Sequence, residues 1–215
     1  MNKIQIDGAQ ALIKCLEREG IEYMFGLPGG SAIPIFDALV TTDTKIKFVL
    51  VRHEQGATHM ADGYARATGK PAVALVTSGP GATNTITGIM TAHMDSIPMI
   101  VITAQSVTWM LGKDAFQEAD IFDITMPIVK HSYLVKNTND IPRVVREAAY
   151  IATTGRPGPV LIDLPKNISA GPCTADLYAE MDLPGYKPYP DGIDKEAIQN
   201  IAEAINKSRR PVLLV

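Results

Sequence analysis

Residues 48–70 read FVLVRHEQGATHMADGYARATGK, and this stretch decides the fold. The uninterrupted apolar run 48–51 predicts a buried strand, and three residues later Glu54 stands at the head of a helix predicted over residues 55–68. A lone carboxylate is costly in a protein interior unless a partner compensates for its charge. Glu54 is therefore either a solvated acid at a helix start or a carboxylate that a pocket requires, and this segment alone does not choose between them.

The rest of the chain alternates short apolar runs with helical patterns. Further strands are predicted at residues 23–25, 72–76, 99–103, 133–135 and 159–164. Further helices are predicted over residues 8–19, 82–94 and 141–153, the first capped by Asp7 and ended by Gly20. Continuously apolar strands indicate a sheet that is covered on both faces. The sequence thus predicts a doubly wound α/β domain with a mostly parallel sheet flanked by helices.

Composition and charge exclude several functions. The chain is 46% hydrophobic and 20% charged with a net charge of −3, so it has no basic footprint for nucleic acid. It shows no apolar leader and no run of about 18 apolar residues, so we expect a cytoplasmic protein without a membrane partner. Cys15 and Cys173 lack CxxC spacing and are predicted to be buried. Because the histidines also lack the spacing of a zinc site, no metal site is predicted in this chain.

The pattern changes after residue 170. Residues 171–191 are rich in proline and lack periodicity, as a linker is. A helix over 195–206 and a strand over 211–215 are predicted after it, which is too little to build a domain. We therefore expect one domain over residues 1–170, a linker over 171–191, and the truncated start of a second α/β domain over 192–215, the chain being a fragment of a longer protein.

Four loops follow predicted strands, where ligands bind in doubly wound sheets. They are GLPGGS (26–31), RHEQGA (52–57), TSGPGATN (77–84) and TAQSVTWMLGKDAFQEAD (103–120). Their glycines allow a ligand to approach the backbone, although glycine and proline also serve simply to turn a chain. Neither GxGxxG nor GxxxxGK[ST] occurs, which argues against a Rossmann or P-loop site. Asp62, inside the helix 55–68, is expected to be solvated or a cap rather than a ribose ligand.

In chain order, these loops and TTGRPGPVLIDLPK (153–166) resemble the thiamine diphosphate enzymes, and specifically the catalytic subunits of the acetolactate synthase family. The resemblance runs from about residue 4 to residue 215. It implies decarboxylation of pyruvate on thiamine diphosphate, followed by condensation of the hydroxyethyl carbanion with a second 2-ketoacid in branched-chain amino-acid biosynthesis. A sister decarboxylase or acyltransferase with another acceptor is the alternative, and a non-catalytic nucleotide-binding module is the rival from another class.

The resemblance also implies roles for individual residues. Glu54 matches the glutamate that bonds ring nitrogen N1′ of the cofactor's aminopyrimidine, which would make it a proton relay. Gly29 and Gly30 match a turn lying against cofactor and substrate, while Pro80 and Asn84 match positions around the aminopyrimidine.

Further matches concern substrate, flavin and assembly. Phe116 and Gln117 match residues of the acceptor pocket, Lys166 matches a residue at its entrance, and Arg156 matches an arginine that contacts a structural FAD held mainly by the central domain. The family implies Mg²⁺ held by the missing C-terminal domain, a homodimer or higher oligomer with shared sites, and a regulatory subunit as a further partner. This fragment alone is expected to be inactive.

One segment departs from the family pattern. Residues 106–113 read SVTWMLGK, with Val107 where the family commonly has proline and with Trp109 and Lys113 at two further positions. This departure leaves the preferred acceptor ketoacid open.

Overall fold

The computed structural model describes residues 6–189, 192–212 and 214. By their internal contacts, the described residues divide into two compact units, one ending at Pro184 and the other beginning at Gly185. The division falls within the proline-rich segment 171–191.

The first unit is built on a parallel sheet. The strands among residues 6–189 are β1 Ile6–Asp7, β2 Tyr23–Gly26, β3 Lys47–Leu50, β4 Ala72–Val76, β5 Met99–Gln105, β6 His131–Leu134, β7 Pro159–Pro165 and β8 Pro172–Cys173. Within this range, six of them form one parallel sheet in the order β3-β2-β4-β5-β7-β6, and β1 pairs with β8 in antiparallel fashion. The predicted mostly parallel α/β sheet is confirmed.

Helices connect the strands. In the described part of the chain they are α1 Gly8–Arg18, α2 Ile33–Thr41, α3 Glu54–Thr68, α4 Pro80–Thr83, α5 Ile86–Met94, α6 Ile121–Thr125, α7 Ile141–Thr153, α8 Lys166–Ser169 and α9 Lys195–Lys207. None of the helices in these described ranges is long and apolar enough to cross a bilayer.

The core lies along the central strands. Every residue of β4, β5 and β7 is buried, as expected for strands covered on both faces. Helix α3 packs on β4 and α5, and α7 packs on β7 and α1. Cys15 and Cys173 are free and buried, as predicted. Burial raises the pKa of the Cys15 thiol to about 12.

Local signals place the ends of α1. The Asp7 carboxylate accepts a hydrogen bond from the backbone N–H of Gln10 at 2.7 Å, and the Gln10 side chain accepts one from the backbone N–H of Asp7 at 3.2 Å. This reciprocal pair is a capping box, and it confirms the predicted start of the helix.

Other sequence expectations need correction. The apolar run 48–51 is predicted to be a buried strand, but β3 is the edge strand of the sheet and leaves Leu50 65% exposed, because an edge strand is covered less completely than a central one. Helix α2 is not predicted from the sequence, because the glycine-rich segment before it has the composition of a loop. Pro34 in the first turn of α2 nevertheless favours a helix start. The helix predicted over 82–94 is divided into α4 and α5. Asp62 is buried rather than solvated, because Arg66 binds it through two nitrogen atoms at 2.8 and 3.2 Å.

The second unit contains α9, and Asp194 caps it by accepting from the backbone N–H of Ala197 at 3.0 Å. The helix predicted over 195–206 is confirmed. Of the strand predicted over 211–215, residues 213 and 215 lie outside the described residues, and residues 211, 212 and 214 are not in a strand.

Candidate active site

Three of the four loops lie side by side at one edge of the sheet. Strand β2 pairs with β3 on one side and β4 on the other, and all three are parallel. Gly26 at the end of β2 stands opposite Leu50 and Leu75, and the N–H of Leu27 donates to the carbonyl of Leu75 at 3.2 Å. The segments after these strands therefore emerge together at the carboxyl edge, where doubly wound folds bind ligands.

Glu54 lies at this edge as the first residue of α3, shortly after β3. Its N-cap is His53, whose Nδ1 accepts from the N–H of Gln55 at 3.1 Å. Glu54 is only 8% exposed, and its Oε2 accepts a hydrogen bond from Nδ2 of Asn84 at 3.0 Å. Free N–H groups at the start of a helix also stabilise a negative charge there. Glu54 is thus a buried, hydrogen-bonded carboxylate and not a solvated acid at a helix start.

Glycines bring the first and third loops close together. A Cβ atom on Gly29 would lie 2.4–2.6 Å from the side chain of Thr77, and one on Gly81 would lie 2.7 Å from Thr77 Cγ2. A Cβ on Gly30 would meet open space. The hydroxyls of Ser31 and Ser78 join the same two loops at 3.0 Å. Residues 29 and 81 therefore cannot carry a side chain without moving Thr77.

The fourth loop packs directly on the third. Gly79 has a φ of +58°, and a Cβ there would lie 2.5 Å from the backbone oxygen of Gln117. Gln117 itself has a φ of +53°, and the neighbouring Phe116 side chain is 87% exposed. Glu118 holds the loop by accepting from the N–H groups of Ala115, at 2.8 Å, and Gly112, and these bonds lower the pKa of its carboxyl. The turn of the loop therefore directs Phe116 into solvent.

The structure does not gather every predicted site residue. Lys166 begins α8 immediately after β7 and so lies at the same carboxyl edge. Arg156 lies at the opposite edge, before β7, where its Nε donates to Ser96 Oγ at 2.7 Å and its Nη2 to the carbonyl of Met94 at 3.3 Å. The loops thus bring Gly29, Gly30, Glu54, Pro80, Asn84 and Gln117 to one edge and leave Arg156 apart.

A second buried carboxyl group lies further along the carboxyl edge. Asp163 on β7 accepts from Thr103 Oγ1 at 2.7 Å and from Gln105 Nε2 at 3.1 Å, both on β5. Burial raises the pKa of Asp163 to about 7, although these two hydrogen bonds act in the opposite direction. Gln105 Nε2 also donates to the carbonyl of Ala119 at 2.8 Å, so this group ties the fourth loop to the sheet. Gln105 and Asp163 both line a cavity of about 290 Å³.

Sequence reasoning did not single out Gly81, the Ser31–Ser78 pair or Asp163. For Asp163 a signal was present, since an acid interrupts the apolar run PVLIDLP. For Gly81 and the serines, the only signal was their place in the two glycine-rich loops.

Comparisons with known proteins show the family of this chain. Residues 6–124 match the family model described as "Thiamine pyrophosphate enzyme, N-terminal TPP binding domain", and the chain belongs to this family. The family is named for the cofactor that the sequence resemblance implied.

Among its relatives are proteins named acetolactate synthase large subunit. The chain is 46% identical over 211 residues to the one from Corynebacterium glutamicum and 47% identical over 213 residues to the one from Haemophilus influenzae, in each case over 98% of this chain. It is 50% identical over 210 residues, 96% of this chain, to a probable acetolactate synthase large subunit from Methanocaldococcus jannaschii. These matches cover 33%, 37% and 35% of the relatives, so the chain spans about a third of their length.

Proposed function

We propose that this chain is the N-terminal part of the large, catalytic subunit of a thiamine diphosphate-dependent acetolactate synthase. The full-length protein would convert pyruvate and a second 2-ketoacid into acetolactate or acetohydroxybutyrate. The observation that carries the proposal is Glu54, a buried carboxylate that accepts a hydrogen bond from Asn84 at the edge where the two glycine-rich loops also emerge. The relatives named acetolactate synthase large subunit support the choice of reaction.

The residues present fit the aminopyrimidine half of the cofactor. A flat ring needs room beside the loops, and the open space at Gly30 provides it, while the glycines at 29 and 81 let the two loops pack closely through Thr77. Among the described residues, no hydrogen-bond donor reaches Oε1 of Glu54, while Oε2 is occupied by Asn84. A carboxylate with one held and one available oxygen suits a ring nitrogen with which it must exchange a proton.

Thiamine diphosphate, when bound, supplies an acidic thiazolium carbon that stabilises the negative charge left when pyruvate loses CO₂. In this proposal Glu54 would bond N1′ of the aminopyrimidine and exchange a proton with it. Gly29, Gly30 and Pro80 would form the walls around the ring, and Asn84 would lie beside it. Phe116 and Gln117 line the acceptor pocket and Lys166 its entrance. The diphosphate and Mg²⁺, which prefers oxygen ligands, are assigned to the C-terminal part of the full-length protein.

The remaining proposals concern organisation and setting. Residues 1–170 would be the pyrimidine-binding domain, 171–191 the linker and 192–215 the start of the central domain. Arg156, whose guanidinium suits a phosphate or flavin carbonyl, would contact FAD at the edge opposite Glu54. We further propose a cytoplasmic homodimer or higher oligomer with shared sites, a regulatory subunit, and a place in branched-chain amino-acid biosynthesis.

The test uses the full-length protein with thiamine diphosphate, Mg²⁺ and pyruvate, and it measures acetolactate and acetaldehyde. Acetolactate is the expected main product. Glu54→Gln keeps the size and the hydrogen bond from Asn84 but cannot exchange a proton, so turnover should fall by a factor on the order of 10² or more. Glu180→Gln, at an exposed glutamate, is the matched control and should keep wild-type rates.

Two results would contradict the proposal. One is a wild-type protein that makes no acetolactate at saturating cofactor. The other is a Glu54→Gln variant whose steady-state rate stays within a few-fold of wild type.

A further inference from the structure

We propose that Asn84 is a positioning residue that fixes which oxygen of Glu54 exchanges the proton. The inference rests on the proposed function and deepens it. Asn84 Nδ2 donates to Oε2 of Glu54 at 3.0 Å, and this bond leaves Oε1 as the oxygen that faces the cofactor.

The chemistry of the two groups sets the direction of the hydrogen bond. An ionised carboxylate only accepts, so the amide must present its NH₂ group to Glu54. A carboxyl oxygen that already receives this bond is the poorer site for a proton, because a hydroxyl oxygen is a weaker acceptor than a carboxylate oxygen. A proton taken up by Glu54 therefore resides on Oε1.

The backbone around Asn84 and the order of the strands bring Asn84 next to Glu54. Asn84 is the C-cap of α4, and its own N–H donates to the carbonyl of Pro80 at 3.1 Å, which fixes its backbone. Glu54 follows β3 and Asn84 follows β4, and β2 lies between these strands. Strands that are two positions apart are separated by about 10 Å. The Asn84–Glu54 bond thus spans the end of β2, where the loop 26–31 emerges.

Gly81 keeps the space in front of Oε1 clear. A Cβ at this position would lie 3.3 Å from Glu54 Oε1, closer than ordinary van der Waals contact. The third loop therefore acts on both oxygens of Glu54: Asn84 binds Oε2, and Gly81 leaves Oε1 accessible.

A merely structural role makes a different prediction. If Asn84 only ties α4 to α3, its loss should weaken every ligand of the site equally. If it orients the carboxylate, its loss should weaken the bond to N1′ specifically. The dissociation constants for thiamine diphosphate and for an analogue with carbon in place of N1′ separate the two roles, because the analogue cannot make that bond.

The experiment uses full-length protein with Mg²⁺ and measures both dissociation constants by calorimetry. Wild type should prefer thiamine diphosphate over the analogue, and Asn84→Ala should reduce this preference by about tenfold, the usual scale for losing one hydrogen bond to a charged group. Thr83→Ala is the matched control. Within the described part of the chain the Thr83 hydroxyl bonds only the carbonyl of Pro80, at 3.2 Å, so this variant should leave the preference unchanged.

Asn84→Asp supplies a second, nearly isosteric test. Its carboxyl group can donate to Glu54 only when protonated, and two adjacent carboxylates repel each other. The preference of this variant should therefore fall as pH rises, while that of the wild type stays level. Equal weakening of both ligands in Asn84→Ala, with a pH-independent preference in Asn84→Asp, would overturn the inference. A wild-type protein that binds neither ligand would instead contradict the proposed function.

Discussion

Glu54 and Asp163 are two buried carboxyl groups at the same sheet edge, and they differ in their hydrogen-bond partners and in the elements that carry them. Glu54 begins a helix and accepts one hydrogen bond from a side chain on a neighbouring loop. Asp163 lies within β7, where it accepts bonds from Thr103 and Gln105 and is only 2% exposed. Desolvation therefore dominates at Asp163 and raises its pKa to about 7.

The raised pKa of Asp163 makes the free energy of unfolding depend on pH. The pKa of Asp163 rises from 3.8 unfolded to about 7 folded, so the folded chain binds this proton more tightly. Its stabilising contribution is complete below about pH 4 and is lost as pH rises to about 7. Between about pH 5 and about pH 8, wild type should lose roughly 3 kcal/mol of unfolding free energy relative to Asp163→Asn. Urea unfolding of both proteins checks this, and parallel pH curves would contradict it.

At the scale of elements, the loop 106–120 is a tethered structure. Asn167 on α8 binds Thr108 twice, accepting from its N–H at 2.8 Å and donating to its hydroxyl at 3.0 Å. Gln105 holds Ala119 at the other end. The loop thus presents Phe116 from a fixed frame, and Phe116 itself contributes little to packing because it is 87% exposed.

This arrangement sharpens a prediction that rests on the proposed function. Phe116→Ala and Gln117→Ala in the full-length protein should raise the ratio of acetaldehyde to acetolactate, by roughly tenfold, because alignment of the second ketoacid is lost. Thermal stability should stay normal for Phe116→Ala, since its ring is exposed. Val40→Ala, at an exposed apolar residue of α2, is the control. An unchanged product ratio in both loop variants would mean that they lie outside the acceptor pocket.

At the scale of the whole molecule, a buried charge ties the segment after β8 to the helices and strands that precede it within the first unit. The Glu147 side chain on α7 is 1% exposed and accepts from the Tyr133 hydroxyl at 3.0 Å and from the N–H of Asp182 at 2.7 Å. Arg143 binds both of its oxygens at 3.0 and 3.1 Å. One carboxylate thereby connects helix α7, strand β6 and the last segment of the first unit.

Removal of this carboxylate should therefore destabilise the first unit. Glu147→Ala removes the buried acceptor of the half-buried Tyr133 hydroxyl and leaves the Arg143 guanidinium with Asp140 at 3.7 Å as its acidic neighbour, which costs roughly 2–4 kcal/mol of unfolding free energy. Chemical denaturation measures the loss, and Glu180→Ala at an exposed glutamate should change stability little. A loss in Glu147→Ala no larger than in the control would show that water replaces these bonds.

The sequence by itself determined the elements that depend on near neighbours. Apolar runs predicted the strands of the sheet, although the one over 48–51 is an edge strand and not buried as predicted. Asp7 predicted the start of α1, and Glu54 was placed correctly at the head of α3. These signals are local, because a cap or a strand is specified by residues a few positions apart. Helix α2 was missed because proline and glycine favour both a turn and a helix start.

Only the tertiary structure decided which distant residues meet. The strand order β3-β2-β4-β5-β7-β6 sets Asn84 against Glu54 and Gln105 against Asp163, pairs separated by 30 and 58 positions in the chain. It also sends Arg156 to the edge opposite Glu54. No local propensity encodes such contacts, because they follow from how the whole sheet buries its apolar faces, and that is a property of all the strands and helices together.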